Sequence, residues 1–244
     1  MRVACLMAGK STRLLPLTRR DHKAMLKIGT VRVVDAQLRT FALAGLNTFS
    51  FVIGHGGCRL ASYLLAKYSG LAISIINNNH FDVRNLDWSA HLALSTEPGP
   101  VIYYEGDLIA SPSILREIAN HEGDVCLAMD EVGQSAQIDT RVIADGDRVR
   151  ELAFSEHGHI ERNSTQSGGE FVCLVKLSDR ARMYVVRRLA KLPFTGPIQV
   201  YEIFNCLFRR YHSFLVRTAG RPWVEIDNKA DLHRARQIVR RILR

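Results

Sequence analysis

Short apolar runs alternate with segments of helical periodicity through the first half of the chain, and this alternation limits the fold more than any other feature. The first run, at residues 2–7, and the last, at 125–129, have the length and composition of buried strands. Alternation of this kind predicts a largely parallel sheet with helices on both faces. Between these two strands we predict helices at 31–45, 58–68, 87–95 and 112–121, and strands at 49–54, 71–76 and 101–104.

The second half of the chain has a different character. Residues 139–154 are β-prone around Asp145-Gly146, which predicts a hairpin. A strand at 171–177, two helical segments, a strand at 214–218 and a final helix from Asn228 follow. No repeat, low-complexity segment or linker divides the chain. We therefore predict one α/β domain over residues 1–244, with a mixed sheet, flanking helices and a β-hairpin in its second half.

Composition narrows the class of protein without naming a function. The chain is 47% hydrophobic and 23% charged, which is typical of a globular protein. Its five cysteines form no CxxC pair, which favours reduced thiols and a cytoplasmic location. No signal region or membrane-spanning run is found, so no integral membrane association is expected. The formal charge of +9 suggests an anionic partner but does not choose among nucleic acid, a membrane surface and phosphorylated metabolites.

The segment MAGKSTRLLPLT, at residues 7–18, looks at first like a Walker A phosphate-binding loop. That motif needs a second glycine five residues before Gly9, and the residue there is Ala4, inside the first predicted strand. The Walker interpretation is therefore excluded. What remains is a turn of small residues after a strand, where a nucleotide can still approach the backbone.

Carboxylates follow two other apolar runs. Glu105-Gly106-Asp107 comes after the strand at 101–104, and the segment WVEID, at 223–227, comes a few residues after the strand at 214–218. Ligands of open α/β sheets bind at the carboxyl ends of strands. A turn for phosphates together with Asp107 and Asp227 is therefore a candidate metal–nucleotide site.

These segments, in this order, resemble motifs of the nucleotidyltransferases that activate sugar phosphates and small alcohol phosphates. That family opens with Leu-Ala-x-Gly-x-Gly-x-Arg-Leu and Pro-Lys-x-Leu, carries Gly-Asp and then Gly-Glu, and closes with Trp-x-Glu-Ile-Asp-x-x-x-Asp-Leu-x-x-Ala. The resemblance covers nearly the whole chain. The matching segments are LMAGKSTRL (6–14), HKAML (22–26), Gly106-Asp107, Gly169-Glu170 and 223–235.

The segment NLDWS, at 85–89, is similar to a segment of the cytidylyltransferases of choline phosphate and of phosphonates. Two departures from the family pattern matter: Ser11 replaces the second loop glycine, and His22 replaces the proline before Lys23. They put the nucleotide preference, or activity itself, in doubt.

The resemblance implies a Rossmann-like, GT-A-type fold, with a nucleotide-binding half at 1–130 and an acceptor-binding half with a closing helix at 131–244. It implies attack of a phosphate or phosphonate oxygen on the α-phosphorus of CTP, with release of pyrophosphate. Asp107 and Asp227 would bind Mg²⁺, Arg13 would face the departing phosphates, and Lys23 would neutralise charge at the reacting groups. The nucleotide-binding residues would be Met7, Ala8, Gly9, Lys10, Ser11, Thr12, Arg13, Asn85 and Ser89.

The acceptor-binding residues are harder to assign. Asp87, Trp88 and Ser89 are candidates for the edge of a pocket, although residues at a helix start are also ordinary caps. Phe171, Tyr201 and Trp223 would either form a cage for a cationic headgroup or pack in the core. The acceptor-binding candidates are Asp87, Trp88, Glu170, Glu202 and Trp223.

Three alternatives to a cytidylyltransferase stay open. One is a sugar-1-phosphate nucleotidyltransferase that uses UTP, dTTP or GTP. Another is a nucleotide-binding subunit without catalysis, which Ser11 and His22 make conceivable. A nucleic-acid-binding protein has only the charge in its favour, since no aromatic-basic or helix-turn-helix pattern supports it, so no nucleic-acid partner is expected. The sequence leaves a homodimer open and does not identify the acceptor.

Overall fold

The structure is a computed structural model of the whole chain. It describes residues 1–83, 86–131, 137–138, 140–154, 160–161, 168–193 and 195–242, with the backbone alone at 137–138 and 160–161. Structural statements below refer to these residues.

The described residues form fifteen strands, most of them where apolar runs occur in the sequence. Predicted and observed bounds of the longer strands differ by at most a few residues. The strands are β1 (Arg2–Met7), β2 (Lys27–Ile28), β3 (Val31–Arg32), β4 (Thr48–Ile53), β5 (Ala72–Asn77), β6 (Val101–Glu105), β7 (Leu108–Ala110), β8 (Val125–Asp130), β9 (Gln137–Ile138), β10 (Thr140–Asp145), β11 (Arg148–Phe154), β12 (Ile160–Glu161), β13 (Gly168–Leu177), β14 (Ser213–Arg217) and β15 (Trp223–Glu225).

Seven α-helices cover these strands in the described part of the chain. The first is shorter than the predicted 31–45, because residues 31–32 pair with β2 instead, and it ends just before Gly45, whose φ is 83°. Every described helix is too short or too polar to cross a bilayer. The helices are α1 (Val33–Leu43), α2 (Gly57–Lys67), α3 (Leu86–Ser95), α4 (Pro112–Asn120), α5 (Asp179–Leu189), α6 (Val200–Arg210) and α7 (Lys229–Ile242).

Nine strands make one mixed sheet in the order β10-β11-β14-β8-β13-β6-β1-β4-β5. The strands β6, β1, β4 and β5 are parallel, as the alternation in the first half predicts. Strand β13 runs antiparallel between β6 and β8, and the predicted hairpin is formed by β10 and β11. The predicted mixed α/β fold with a hairpin in its second half is confirmed.

Both faces of the main sheet are buried, which explains why its strands are continuously apolar rather than alternating. In β1, Ala4 and Leu6 join a core cluster with α3, α5 and α6, whereas Val3 and Cys5 join one with α1, α2 and α4. Opposite faces of one strand thus serve two cores. Helix α7 closes a third, smaller core through Leu232, Ala235, Val239 and Ile242, as its amphipathic pattern predicts.

The sequence did not predict the two-stranded antiparallel sheet of β7 and β15, in which Glu225 pairs with Leu108 and Trp223 with Ala110. Each strand has three residues, too few to show a period. The pairing has a direct consequence for function. It places the segment after β6 beside the segment after β15, and the amide of Ile226 donates to the carbonyl of Asp107 at 3.1 Å.

Candidate active site

Asp107 and Asp227, far apart in sequence, share the ammonium group of Lys23. Lys23 Nζ lies 2.6 Å from Asp107 Oδ2 and 3.2 Å from Asp227 Oδ1, and it donates to the carbonyl of Ile226 at 3.0 Å. Arg13 Nη2 lies 3.0 Å from the same Asp227 oxygen. Four of the predicted site residues therefore meet at one place, which we call the charge cluster: Arg13, Lys23, Asp107 and Asp227.

Exposure differs among the members of the charge cluster. The side chain of Lys23 is 12% exposed, while that of Arg13 is 60% exposed. Burial alone would lower the pKa of Lys23, but the carboxylates of Asp107 and Asp227 outweigh it and raise that pKa. Lys23 is thus a fixed positive charge within the site, and Arg13 is free to meet a ligand from solvent.

Lys23 is held by a short 3₁₀ turn, Lys23–Met25, whose preceding residue is His22. The His22 ring accepts a hydrogen bond from the amide of Ala24 at 3.1 Å through Nδ1. Burial, and then the charge of Lys23, lower the pKa of His22 to about 3, so the ring stays neutral and can accept. Its φ of −64° is also that of a proline, so the departure from the family pattern keeps the same backbone.

The loop after β1 turns sharply at Ser11, which has left-handed dihedrals of φ 51° and ψ 48°. That conformation suits glycine, which explains why the family has glycine here. The turn is held from both sides: the carbonyl of Ala8 accepts from the amide of His55 at 3.1 Å, and Thr18 Oγ1 donates to the carbonyl of Ser11 at 2.9 Å. A Cβ at Gly9 would meet no described atom within 4 Å, so packing does not require glycine there.

The other nucleotide-binding candidates of this loop are placed as follows. Met7 is 1% exposed as a whole residue, and its side chain packs in the core. Lys10 is exposed, and its Nζ lies 6.0 Å from the ring centroid of Phe81. Thr12 is exposed at the start of a 3₁₀ turn that continues into Arg13.

The turn that carries Asp107 is fixed by groups that the sequence analysis missed. A Cβ on Gly106 would lie 2.4 Å from the carbonyl oxygen of Leu6, so the glycine is a packing requirement. Gln37 of α1, 1% exposed, donates to the carbonyls of Gly106 and Leu108 at 3.0 and 2.8 Å. A buried glutamine on a helix gives no sequence signal of which loop it holds.

Two further carboxylates, Glu105 and Glu225, lie behind the aspartates and were also missed. Glu105 Oε1 accepts from the hydroxyls of Tyr103 and Tyr201, both at 2.9 Å. Burial, and then the charge of Asp107, raise the pKa of Glu105 to about 7. The signal for them was present in the sequence, since Glu-x-Asp occurs at the end of both strands and places both carboxylates on one side of an extended chain.

Cys173 lies against these buried acids at an irregular point of β13. Its φ is 46°, and the register of β13 against β8 shifts between Phe171 and Val175, which marks a β-bulge. Its Sγ lies 3.6 Å from Glu225 Oε1. Burial, followed by the nearby carboxylates, raises the pKa of this thiol well above its ordinary range, so it stays protonated.

The carboxylate oxygens at the charge cluster suit a divalent cation. Oxygens of Asp107, Glu225 and Asp227 lie within 4.8 Å of one another. Asp107 Oδ1 is buried and has no hydrogen-bond partner among the described residues. Burial, and then Asp107, raise the pKa of Asp227 against the opposing effect of Lys23, which indicates an excess of negative charge. Carboxylate oxygens are the ligands that Mg²⁺ prefers, so the donor set fits that ion.

Asp87 caps a helix other than its own. Its carboxylate accepts from the amides of Gln199 and Val200, at 2.8 to 3.1 Å, at the start of α6. This cap holds the helix whose Tyr201 reaches Glu105, so Asp87 connects to the site indirectly. Ser89 is 6% exposed and accepts from Asn78 Nδ2 at 3.0 Å. Asn85, the remaining nucleotide-binding candidate, lies outside the described residues.

The other acceptor-binding candidates are spread over three elements. Trp88 is half-buried and stacks on His91, with ring centroids 5.1 Å apart. Glu170 is half-buried in β13, opposite Asp130 of β8. Glu202 is exposed in the first turn of α6, where the helix dipole favours a carboxylate.

The three aromatic residues suggested as a cation cage do not form one. Phe171 and Tyr201 pack together in one core cluster, with centroids 6.1 Å apart, whereas Trp223 belongs to the cluster on the other face of the sheet. Trp223 is 3% exposed, and its Nε1 donates to Asp130 Oδ2 at 2.8 Å. The cage expectation is wrong, and core packing, the alternative, is what the structure shows. Trp223 instead ties the start of β15 to the end of β8.

Residues 3–79 match the family that is described as nucleotidyl transferase. The matched segment includes Arg13 and Lys23, two of the four residues of the charge cluster. The resemblance to nucleotidyltransferases is confirmed.

One curated protein to which this chain is similar is the 2-aminoethylphosphonate cytidylyltransferase of Lancefieldella rimae, 24% identical over 144 residues. The match covers 54% of this chain and 57% of that protein, so it spans little more than half of each.

Solved structures match the fold along nearly the whole chain. The inositol-1-phosphate CTP transferase from T. maritima aligns with a TM-score of 0.78 at 18% identity, over 99% of this chain and 95% of that one. The CTP:phosphocholine cytidylyltransferase from Streptococcus pneumoniae aligns with a TM-score of 0.76 at 16% identity, over 98% of both chains. At these identities the likeness shows the fold, and the predicted GT-A-like architecture is confirmed.

Proposed function

We propose that this protein is a cytidylyltransferase that joins CTP to a small phosphate or phosphonate acceptor and releases pyrophosphate. The observation that carries the proposal is the charge cluster, in which Lys23 and Arg13 meet the carboxylates of Asp107 and Asp227 at the carboxyl ends of strands. The reaction brings two anions together, so its main requirements are positioning and neutralisation of charge. A buried ammonium, a largely exposed guanidinium and a carboxylate pair supply both.

Each member of the charge cluster has a distinct role in this proposal. Lys23 neutralises the α-phosphate or the attacking oxygen, because it is the buried cation at the centre of the cluster. Arg13 binds the departing β- and γ-phosphates, for which a largely exposed guanidinium with bidentate donors is suited. Gly9 leaves the backbone of the loop after β1 accessible to the nucleotide.

Asp107 and Asp227 would hold Mg²⁺, since they offer adjacent carboxylate oxygens and Asp107 Oδ1 lacks a partner among the described residues. When bound, the ion supplies charge neutralisation at the phosphates and orients them for in-line attack. Lys23 and Arg13 hold the two aspartates in place, through the ion pairs described above.

CTP is proposed as the nucleotide because the curated relative is a cytidylyltransferase, and a phosphonate or phosphate acceptor because that relative is named for 2-aminoethylphosphonate. The acceptor side is proposed to lie in the half at 131–244, with Glu170 and Glu202 as candidate contacts, together with Trp88 of the first half. All five cysteines are unpaired, which agrees with a cytoplasmic protein. A homodimer stays open.

The deciding experiment measures pyrophosphate release with Mg²⁺ and each of CTP, UTP, GTP, ATP and dTTP. Acceptors are choline phosphate, ethanolamine phosphate, aminoethylphosphonate, hydroxyethylphosphonate, phosphonoformate and several sugar phosphates. Release with CTP and one small acceptor is expected. Release with UTP, dTTP or GTP and a sugar 1-phosphate would replace the proposal by its first alternative. CTP binding without release from any acceptor would favour a non-catalytic subunit, and no CTP binding would refute both.

A further inference from the structure

A strongly basic cavity of about 510 Å³ lies between α5 and α6, outside the charge cluster. No acidic residue lines it in the part of the chain that the structure describes. Five cationic side chains converge on it: Arg180, Arg187, Arg188, Lys191 and Arg210.

Two tyrosines in the cavity hold three of these arginines by cation–π contacts. The guanidinium carbons of Arg188 and Arg210 lie 5.5 and 5.7 Å from the ring centroid of Tyr184. Those of Arg180 and Arg210 lie 5.4 and 5.8 Å from the ring centroid of Tyr211. A guanidinium held against a ring can still donate N–H groups to an oxyanion, so Arg188 and Arg210 are pre-ordered donors, whereas Nε and Nη2 of Arg180 already donate to Asp124.

Most of this positive charge has no counter-charge among the residues that the structure describes. Arg180 is paired with Asp124, through Arg180 Nε at 2.6 Å from Oδ1. Arg187, Arg188 and Arg210 form no ion pair with a carboxylate among the described residues, and the hydrogen bond of Arg188 goes to the hydroxyl of Tyr184 at 3.2 Å. The cluster therefore repels itself unless an anion from outside the chain joins it.

Helix dipoles explain only part of the arrangement. Arg187 and Arg188 lie in the last turn of α5, and Arg210 in the last turn of α6, where cations are favoured. Arg180 lies in the first turn of α5, where the dipole disfavours a cation, and Lys191 lies beyond the helix end. The ion pair with Asp124 accounts for Arg180, but neither this pair nor the dipoles require five cations to line one cavity.

We propose that this cavity binds a small polyanion with at least two phosphate groups. Its volume lies within the range of about 300 to 1,000 Å³ that is usual for small-molecule sites. Several arginines in one pocket suit bidentate contacts to more than one phosphate. The same chemistry is offered by a nucleoside triphosphate and by an inorganic polyphosphate. The cavity lies at the C-terminal end of α6, whereas Tyr201, which contacts Glu105, lies at its N-terminal end, about 13 Å away along the helix.

The test is calorimetric titration of the full chain with inorganic tripolyphosphate and, separately, with ATP, in EDTA without added metal. The cavity variant is Arg187→Glu with Arg210→Glu, and the matched control is Arg240→Glu with Arg241→Glu on α7, exposed arginines whose reversal changes the net charge equally. We expect the cavity variant to raise Kd by at least tenfold for either probe and the control by less than threefold. Far-UV circular dichroism checks folding, and Arg187→Gln with Arg210→Gln, expected to raise Kd about threefold or more, repeats the test with neutral side chains.

The two probes distinguish the sources of the anion. Equal affinity for both assigns recognition to the phosphates, whereas tighter binding of ATP that is lost in Tyr184→Ala assigns it to a nucleotide, and both results support the site. An equal loss in the cavity and control variants would show a general charge effect and overturn the proposal. So would binding that falls in Arg13→Ala but not in the cavity variant, or no binding of either probe by the wild type.

Discussion

The two Glu-x-Asp segments have the same spacing and face the same lysine, but they are held in different ways. The first, at 105–107, continues a central strand of the main sheet, packs Gly106 against Leu6 and receives Gln37 from α1. The second, at 225–227, belongs to a two-stranded sheet and is held by pairing with β7 and by the start of α7. The first segment is therefore fixed by the main sheet, whereas the second segment is docked onto it.

This difference suggests that the two segments have different roles in the site. A segment inside a nine-stranded sheet has little freedom, whereas one held by three residues of pairing can adjust. The docked segment also carries Asp227, which both Lys23 and Arg13 contact. We infer that Asp107 sets the position of the site and that Asp227 adapts it to the ligand.

The largest expected effect comes from removing the aspartates themselves. Asp107→Ala and Asp227→Ala should each lower turnover on the order of a thousandfold, because each removes a proposed metal ligand and a partner of Lys23. Pyrophosphate release measures the loss. Asp147→Ala, at an exposed aspartate of the β10–β11 turn, is the control and should stay near wild type. Turnover within tenfold of wild type for either site variant would remove that residue from the site.

The next largest effect distinguishes Gly106, which packing requires, from Gly9 in the loop after β1. Gly106→Ala should destabilise the fold by roughly 2–3 kcal/mol, because its Cβ would lie 2.4 Å from a backbone oxygen of β1. Gly9→Ala, which meets no described atom within 4 Å, should leave stability unchanged and weaken CTP binding. Urea unfolding and CTP titration measure the two outcomes. A stable Gly106→Ala protein would mean that the first segment can shift, against the contrast drawn above.

The sequence could predict those parts of the fold that depend on one continuous stretch of chain. The strands of the main sheet and all seven described helices follow from apolar runs and helical periods several residues long. The pairing of β7 with β15 could not be predicted, because each strand is three residues long and its partner is distant in sequence. That pairing decides which carboxylates meet.

The site shows the same limit. Arg13, Lys23, Asp107 and Asp227 were found from motifs, and the structure brings them together. Gln37 was missed and Asp87 was assigned to the acceptor, because each side chain acts on a backbone segment of a different element. A residue type indicates what a side chain can bind, but only the fold shows which distant amide or carbonyl it reaches.

A smaller effect compares the side chains that hold the two segments. Gln37→Leu removes the buried side-chain donor of the Gly106 carbonyl and one of the two donors of the Leu108 carbonyl, which keeps the hydroxyl of Tyr104, and should cost about 1–3 kcal/mol in the free energy of unfolding. Asp231→Ala removes the acceptor of the amides of Asp227 and Asn228, both at 3.0 Å, and should cost about 0.5–1.5 kcal/mol, because this cap is nearer the surface.

Urea unfolding of both variants gives the ranking, and the KM for CTP gives a second readout. If the second segment is the adjustable one, Asp231→Ala should change KM more than its small cost in stability suggests. A larger loss of stability in Asp231→Ala than in Gln37→Leu would reverse the order of rigidity between the segments.

The smallest expected effect concerns the loop that carries Arg13 to the docked segment. Ser11→Gly should raise stability by up to about 1 kcal/mol, because a φ of 51° is strained for serine and free for glycine. Ala219, with a φ of 49°, offers a matched position in the turn before β15, so Ala219→Gly should give a similar gain in thermal unfolding. CTP affinity should stay level or improve in Ser11→Gly and remain unchanged in Ala219→Gly. If Ser11→Gly abolished CTP binding while the stability of both variants rose, the hydroxyl of Ser11 would itself be a ligand contact, and the loop would be specialised rather than merely strained.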